Sequence, residues 1–453
     1  MNEVQHAAAR ATLDGVEARI REHLEVTMWA KGQLLQHIAG GQQHRTSGRI
    51  PAHLTDLLPG TNTTQGAADL ERLARMAKSI GPRILRLKRY GTLGSVNWGD
   101  GSPTFDKELD NATTESLRAF PRDRLARKAL EQDLVRGMIA GIVIPDARGG
   151  AQAMPLGGYY EPLVDEDNVE HIWGVYQAWQ PPSGLKWRAR IYNLETRELY
   201  EWADLDSPTE IGRTPTAIPN APMPVYEVVD DDLDGYPRGE FMESLPLFKS
   251  EWASQVRGDR AEESTAFSQL VTKGQLQAGD VDRGPTRIIR LPEGGDAKYL
   301  DPPSLEQIHK HHDRKLERLR VDHSLPGGFL GSQTPSGEAL REANQAFIAD
   351  CAARAGRISN YLTRLLADYG ALIGLQKPPP VTVIINREFE RASVVDQTVL
   401  LHREDLIDFG EAVRAISVYY PTWASDAVEK FIDSRRELIP EPLTTTDAVD
   451  VDL

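Results

Sequence analysis

The 453-residue chain has a single cysteine, Cys351, which excludes an internal disulfide and any cysteine-cluster metal site. Long hydrophobic runs are missing too. A transmembrane helix needs roughly 18 uncharged apolar residues, and the best stretch, residues 137–144, falls far short. The first residues, MNEVQHAAARATLDGVEARIREHL, contain acids and lack the apolar centre of a signal peptide. The expectation is a soluble protein of intracellular origin that meets no membrane. Nucleotide chemistry has no footing either: there is no G-x-x-x-x-G-K-[ST], and the nearest glycine cluster, PGGFLGS, lacks the lysine. G-x-S-x-G is absent as well. The chain therefore shows no catalytic residue or cofactor site of these two types.

Positive charge is also in short supply. Lys and Arg number 52 against 67 Asp and Glu, a net charge of −15. That argues against a protein that grips nucleic acid through a basic surface. Two readings remain open: the charge keeps a 50.3 kDa protein in solution, or it lets DNA pass without sticking. Hydrophobic residues at 40% and charged residues at 26% describe a folded, soluble chain with room for two or three domains.

What is there is helical at both ends and β-rich in the middle, an α+β composition with no internal repeat. Residues 4–38 read as helix, with Val16, Ile20, Leu24, Met28 and Leu35 in phase. Residues 40–66 read as loop, 67–80 as helix and 92–103 as glycine-rich loop. A helix at 122–135 runs into the β-branched strand MIAGIVIPD. Aromatic-rich strands follow in GGYYEPLVDE, IWGVYQAW, LKWRARIYN, RELYEWAD and MPVYEVVDDD, with Tyr200 and Trp202 alternating as a half-buried sheet requires. A helix is expected over 240–270 despite Pro246, then short strands at 286–291 and 297–300. VTVIIN forms a further strand, 392–438 reads as helical, and the tail PEPLTTTDAVDVDL as disordered.

The most informative stretch is a helix, a glycine-rich loop and a longer helix across residues 301–372. The first helix follows Pro302-Pro303, with Ser304 as its cap, and carries an apolar stripe of Leu305, Ile308, His312, Leu316 and Leu319. Its opposite face carries Lys310, Arg314, Lys315, Arg318 and Arg320. The second helix opens near Thr334-Pro335 or Ser336. It keeps a three-four rhythm through Leu340, Ala343, Phe347, Cys351, Ala355, Ile358, Leu362, Leu365, Tyr369 and Leu372, over about ten turns. Gly356 marks a point where it can kink. Between them lies a turn-rich segment, Ser324, Leu325, Pro326, Gly327, Gly328, Phe329, Leu330, Gly331, Ser332 and Gln333. Phe329 reads either as a core anchor or as the apolar tip of a constriction.

Two groups invite a metal reading. His309, His312 and Asp313 share one helix face, which a transition metal or a metal-dependent hydrolase could use. Asp230, Asp231, Asp232 and Asp234 could hold a divalent cation. Each has a plainer reading, as a polar helix face and a solvated turn, and the sequence keeps no metal site. A monomeric assembly adaptor is the third class.

The order of pieces resembles the portal proteins of tailed bacteriophages, the siphophage-type family, over residues 122–438. The resemblance rests on ARKALEQDLVRGMIAGIVIPD, on Pro224-Val225-Tyr226-Glu227-Val228-Val229 with Gly239-Glu240-Phe241-Met242, and on Lys298-Tyr299-Leu300-Asp301-Pro302-Pro303-Ser304-Leu305-Glu306. Pro326, Gly331 and Pro335-Ser336-Gly337-Glu338-Ala339-Leu340 complete it. The chain has Gly-Glu where the family has Gly-Ser-Glu, and its first 120 residues match poorly. The resemblance implies a portal fold with a wing (1–238), a first stem helix (239–270), a clip (271–303) and a second stem helix (304–322). A tunnel loop (323–335), a long kinked helix with a wing strand (336–390), crown helices (391–439) and a tail (440–453) follow. It implies a ring of about twelve subunits at one capsid vertex of a virion, assembled in the host cytoplasm. Double-stranded DNA would pass through it without sequence preference. The implied partners are the terminase large subunit, the major capsid and scaffold proteins and a head-completion adaptor. Leu325 to Gln333 would form the collar around the DNA, with Lys310, Arg314, Arg318 and Arg320 lining the stem.

Overall fold

The computed structural model describes residues 16–31, 79–99, 111–146, 150–165, 168, 171–181, 186–212, 214–229, 237–265, 269–273, 296–300, 305–326 and 337–386, with a few residues between 409 and 433. The helices are α1 (Val16–Lys31), α2 (Gly81–Thr92), α3 (Asn111–Arg118), α4 (Arg122–Arg136), α5 (Glu240–Glu243), α6 (Leu245–Thr265), α7 (Glu306–Asp322) and α8 (Gly337–Ile373). The strands are β1 (Ser95–Trp98), β2 (Met138–Pro145), β3 (Ala151–Pro155), β4 (Tyr159–Val164), β5 (Ile172–Trp179) and β6 (Trp187–Asn193). They continue with β7 (Glu198–Leu205), β8 (Thr216–Pro219), β9 (Val225–Val228), β10 (Gln269–Lys273), β11 (Asp296–Leu300) and β12 (Val381–Ile384). The α+β class holds.

The aromatic-rich block is an antiparallel meander, β4-β5-β6-β7-β8. Register sets Tyr176 opposite Ile191 and Ile191 opposite Tyr200. Because strand side chains alternate, Tyr176, Ile191, Tyr200 and Trp202 cover one face, against Val16 and Ile20 of α1. Val175, Tyr192 and Leu199 cover the other, against Met138, Ala140 and Ile142 of β2. A second sheet, β3-β2-β9, is thereby sandwiched between the meander and the helices. The largest core gathers α1, α2, α4, α6 and α8 with β2 and β12.

Several sequence expectations need correction. The loop expected over 92–103 contains β1, a short strand paired antiparallel with β12. The helix expected over 67–80 lies outside the described residues except for Ser79 and Ile80, and the helix α2 that follows was not expected. There Pro82 occupies the first turn, where a missing N–H costs nothing. The single helix expected over 240–270 is two, parted at Ser244. Pro246 sits in the first turn of the second helix, and Gln269-Leu270 belong to β10. The described part of α7 begins behind Leu305, which makes no side-chain cap bond, and Ser304, the expected cap, lies outside the described residues. On α1 the in-phase Leu24 is 41% exposed, and Trp29 and Val26 are buried instead. On α8 the stripe from Phe347 to Tyr369 is buried, whereas Leu372 is exposed. Gly356 faces open space and α8 runs through it without a break. The short strands β3 and β8 were not anticipated, and β8 is exposed along its whole length, so it carries no periodic signal.

Candidate functional site: the helical hairpin and the root of the glycine-rich loop

The helices α6 and α7 pack antiparallel, since His309 reaches Glu262 while Lys315 reaches Ser250. Their seam is polar in the middle. Glu251, fully buried, accepts from Gln255 and from Nε2 of His312 at 3.1 Å. Lys315 Nζ donates to the Ser250 carbonyl at 2.9 Å and to Ser254 Oγ at 2.5 Å. Burial and the nearby Arg257 pull the Lys315 ammonium below its ordinary value, with Glu251 opposing.

This seam separates the residues of the first metal reading. His309 sits 3.5 Å from Glu262 at the exposed edge, His312 turns inward to Glu251, and Asp313 is exposed. Among the described residues no three His, Cys, Asp or Glu side chains gather as a metal site. Asp230, Asp231, Asp232 and Asp234 lie outside the described residues.

The basic residues of α7 divide. Lys310 is exposed and paired with Glu306 at 2.6 Å. Arg314 and Arg318 are exposed one turn apart on the outer face. Arg320 is half-buried and forks onto Glu317 at 2.5 and 2.9 Å, and its Nη1 reaches the Leu325 carbonyl at 3.5 Å. It ties the last turn of α7 to the backbone at the loop root.

Of the loop, Leu325 and Pro326 are described and both are buried, Leu325 within the main core at 0% exposure. Ser324 adopts a left-handed φ of 47°, and Leu325 N–H donates to Arg320 O at 2.8 Å. These two features end the helix sharply and turn the chain inward. Gly327, Gly328, Phe329, Leu330, Gly331, Ser332 and Gln333 lie outside the described residues.

The loop root is fixed by a buried charge cluster that periodicity did not reveal. His323, 0% exposed, lies stacked on Phe248 and edge-on to Phe241. Its Nδ1 donates to Glu240, and its Nε2 has no partner among the described residues. Glu240 also receives Arg354 and, at 3.2 Å, Lys88 Nζ. Lys88 reaches Asp350 at 2.6 Å, and Arg354 bonds Asp350 at 3.0 Å and Asp133. Arg357 closes the set on Asp133 at 3.1 Å. Three cations thus face three carboxylates, drawn from α2, α4, α5 and α8, with the histidine from the end of α7. Burial would raise the Glu240 carboxyl, but Arg354, His323 and Lys88 outweigh it and hold it down at about 2. The same carboxylates overcome burial at Arg354 and raise it, so it stays charged.

Backbone meets backbone beside this cluster. Gly137, at φ +70°, ends α4 with a left-handed turn. A Cβ there would lie 2.5 Å from the Arg238 carbonyl, and one on Gly239 would lie 2.3 Å from the Val135 carbonyl carbon. Two glycines therefore let the start of the hairpin lie directly on the α4–β2 corner. A sequence signal for the cluster did exist: Asp350, Arg354 and Arg357 flank the buried stripe of α8 at four- and three-residue steps.

No family model matches the chain, and no curated protein matches it in sequence. Among solved structures it is similar to the neck of an empty gene transfer agent particle computed with C6 symmetry. That likeness has 13% identity and a TM-score of 0.45, over 77% of this chain and 93% of that one. It is also similar to the neck of the native particle computed with C12 symmetry, at 14% identity and a TM-score of 0.45, over 79% and 94%. A third likeness is to the virion of the native particle, at 13% identity and a TM-score of 0.42, over 77% and 92%.

Proposed function

We propose that the protein is a portal, or head-to-tail connector. About twelve copies would form a closed ring at one capsid vertex, through which double-stranded DNA is packaged and ejected. The observation that carries the reading is the antiparallel hairpin α6–α7, whose root is locked by Glu240 and His323 to a 37-residue helix, with the glycine-rich loop leaving from the lock. Repeated around an axis, that arrangement holds twelve loops at one height on a rigid collar. Duplex DNA presents phosphates and sugars at its outer surface. An uncharged collar of Gly327, Gly328, Phe329, Leu330 and Gly331 would meet it loosely and without sequence preference. A net charge of −15 per copy keeps the walls from adhering, while Arg314 and Arg318 on the outer face of α7 would supply local attraction. On this reading the ring docks a packaging motor at the hairpin end and capsid, scaffold and head-completion proteins elsewhere. The chain itself does no catalysis.

Light scattering tests the assembly: a particle near twelve times 50.3 kDa is expected, and a strict monomer at all concentrations overturns it. Removing 327–331 tests the loop. Rings should still form, while DNA packaging or retention falls. Full packaging with stable filled heads would refute the collar assignment.

A further inference from the structure

On the far side of α2 from the charge cluster lies a concave groove of about 410 Å³, and its chemistry runs against the rest of the chain. Arg86 and Arg89 of α2 and Arg127 of α4 line it, all exposed, with Asp123 the one acid among the lining residues. Leu93 and Val96 supply an apolar floor. Val96 belongs to β1, which pairs only with β12 in a two-stranded sheet among the described residues. The groove thus combines guanidiniums, an apolar strip and a strand with one side unpaired by another strand.

The chain contains a segment with the complementary pattern. Residues 440–453 carry Glu441, Asp447, Asp450 and Asp452 and no Lys or Arg. From Val449 the order is Val-Asp-Val-Asp-Leu, so an extended backbone would present Asp450 and Asp452 on one face and Val449, Val451 and Leu453 on the other. We propose that this acidic segment, residues 447–452, lies extended in the Arg86–Arg89–Arg127 groove, its carboxylates on the guanidiniums and its valines on Leu93 and Val96. Asp433, the last described residue, precedes Asp447 by enough chain to span roughly 45–50 Å, and the tether gives it a local concentration that a free peptide would lack. Duplex DNA fits less well. A groove of this volume has the size of a small-ligand or short-peptide site, whereas even small nucleic-acid modules bury about 600 Å² or more. The proposal does not depend on ring formation.

The test is a disulfide trap in the full chain, with Cys351 left in place because it is buried. Ser95→Cys with Val451→Cys, mildly oxidised and run unreduced on a denaturing gel, should cross-link. A one-chain band that migrates faster than the same sample after reduction places the segment in its own groove, and a band at twice that mass places it in a neighbour's; both support the proposal. Arg86→Glu with Arg89→Glu should cut the yield at least tenfold without moving the melting temperature, since both side chains are exposed. Adding Asp450→Lys and Asp452→Lys should restore it. An unchanged yield after charge reversal overturns the proposal, as does a yield no greater than with Thr216→Cys, on the exposed β8, in place of Ser95→Cys. So does arginine-dependent retention of duplex DNA with no cross-link, which would assign the groove to phosphates.

Discussion

Replacing Arg354 with methionine asks whether the buried charges hold the hairpin to α8. The new side chain keeps most of the packing volume and removes the guanidinium. Deleting one partner of a buried ion pair costs about 3–5 kcal/mol, because a charge is left uncompensated. Here no carboxylate is stranded: Asp133 keeps Arg357, Asp350 keeps Lys88, and Glu240 keeps Lys88 and His323. The expected loss is therefore at the lower end, about 3 kcal/mol. A second signature separates lost charge from lost packing. Glu240 is held down at about 2, below the ordinary 4.5. Its ionised form stabilises the fold fully above 4.5, and that contribution, about 3 kcal/mol at ~1.4 kcal/mol per pH unit, fades as pH falls toward 2. Without Arg354 the principal attraction is gone and burial dominates, so Glu240 takes up its proton at higher pH. Urea unfolding by tryptophan fluorescence at pH 7 and an acid titration between pH 6 and 2 read both effects. A loss below about 1 kcal/mol, or an acid midpoint equal to that of the native chain, would refute the cluster's role as the lock.

Three further outcomes are expected. Gly239→Ala should destabilise by at least ~2 kcal/mol, because its Cβ has only 2.3 Å to the Val135 carbonyl carbon; denaturant midpoints check it, and a neutral result would mean the two backbones can part freely. Tyr361→Phe should be neutral or slightly stabilising by the same measurement, since the hydroxyl is buried without a partner among the described residues; a loss above about 1 kcal/mol would reveal a bond to that oxygen. His23 is kept neutral by burial, Arg136 and Lys31, well below its ordinary value. The unfolded chain therefore takes up that proton first, and stability should fall as pH drops below about 6.5, at up to ~1.4 kcal/mol per pH unit. His23→Gln should lack this component when melting is compared at pH 7.5 and 5.5, and an identical slope would contradict the assignment.

Elements with a clean period were legible in the sequence. The strand β5 falls on the expected residues because both its faces are covered, and α4 running into β2 is marked by a helical stripe that changes to a β-branched run. The spine α8 was readable from Phe347 to Tyr369 for the same reason. The misses have physical causes. The strand β1 is four residues of mixed polarity, and β8 buries nothing. The helix α2 opens on Gly81-Pro82, which reads as a break, and its Lys88 is fully buried where periodicity assigns a lysine to solvent. The candidate site was half visible. The helix–loop–helix stood out, but its lock is built from charges on segments far apart in sequence, and no local pattern reports which charged residues the fold will bring together. His312 shows the same limit: it holds a stripe position because a buried glutamate waits on the facing helix.

The spacing of the cluster also dictates when the protein can be finished. Asp133 and Arg354 are 221 residues apart, and Lys88 and Asp350 are 262 apart. At roughly 5–20 residues per second of synthesis, Asp133 leaves the ribosome about ten to forty-five seconds before its cation. Until α8 emerges, Glu240 and His323 have nothing on the spine to hold, and the hairpin meets the rest without it, through Lys88 and the α4–β2 corner. A chain cut short before Arg354 therefore cannot close the lock. The lock closes only on chains whose spine has been made, with the timing written into the order of six charged residues.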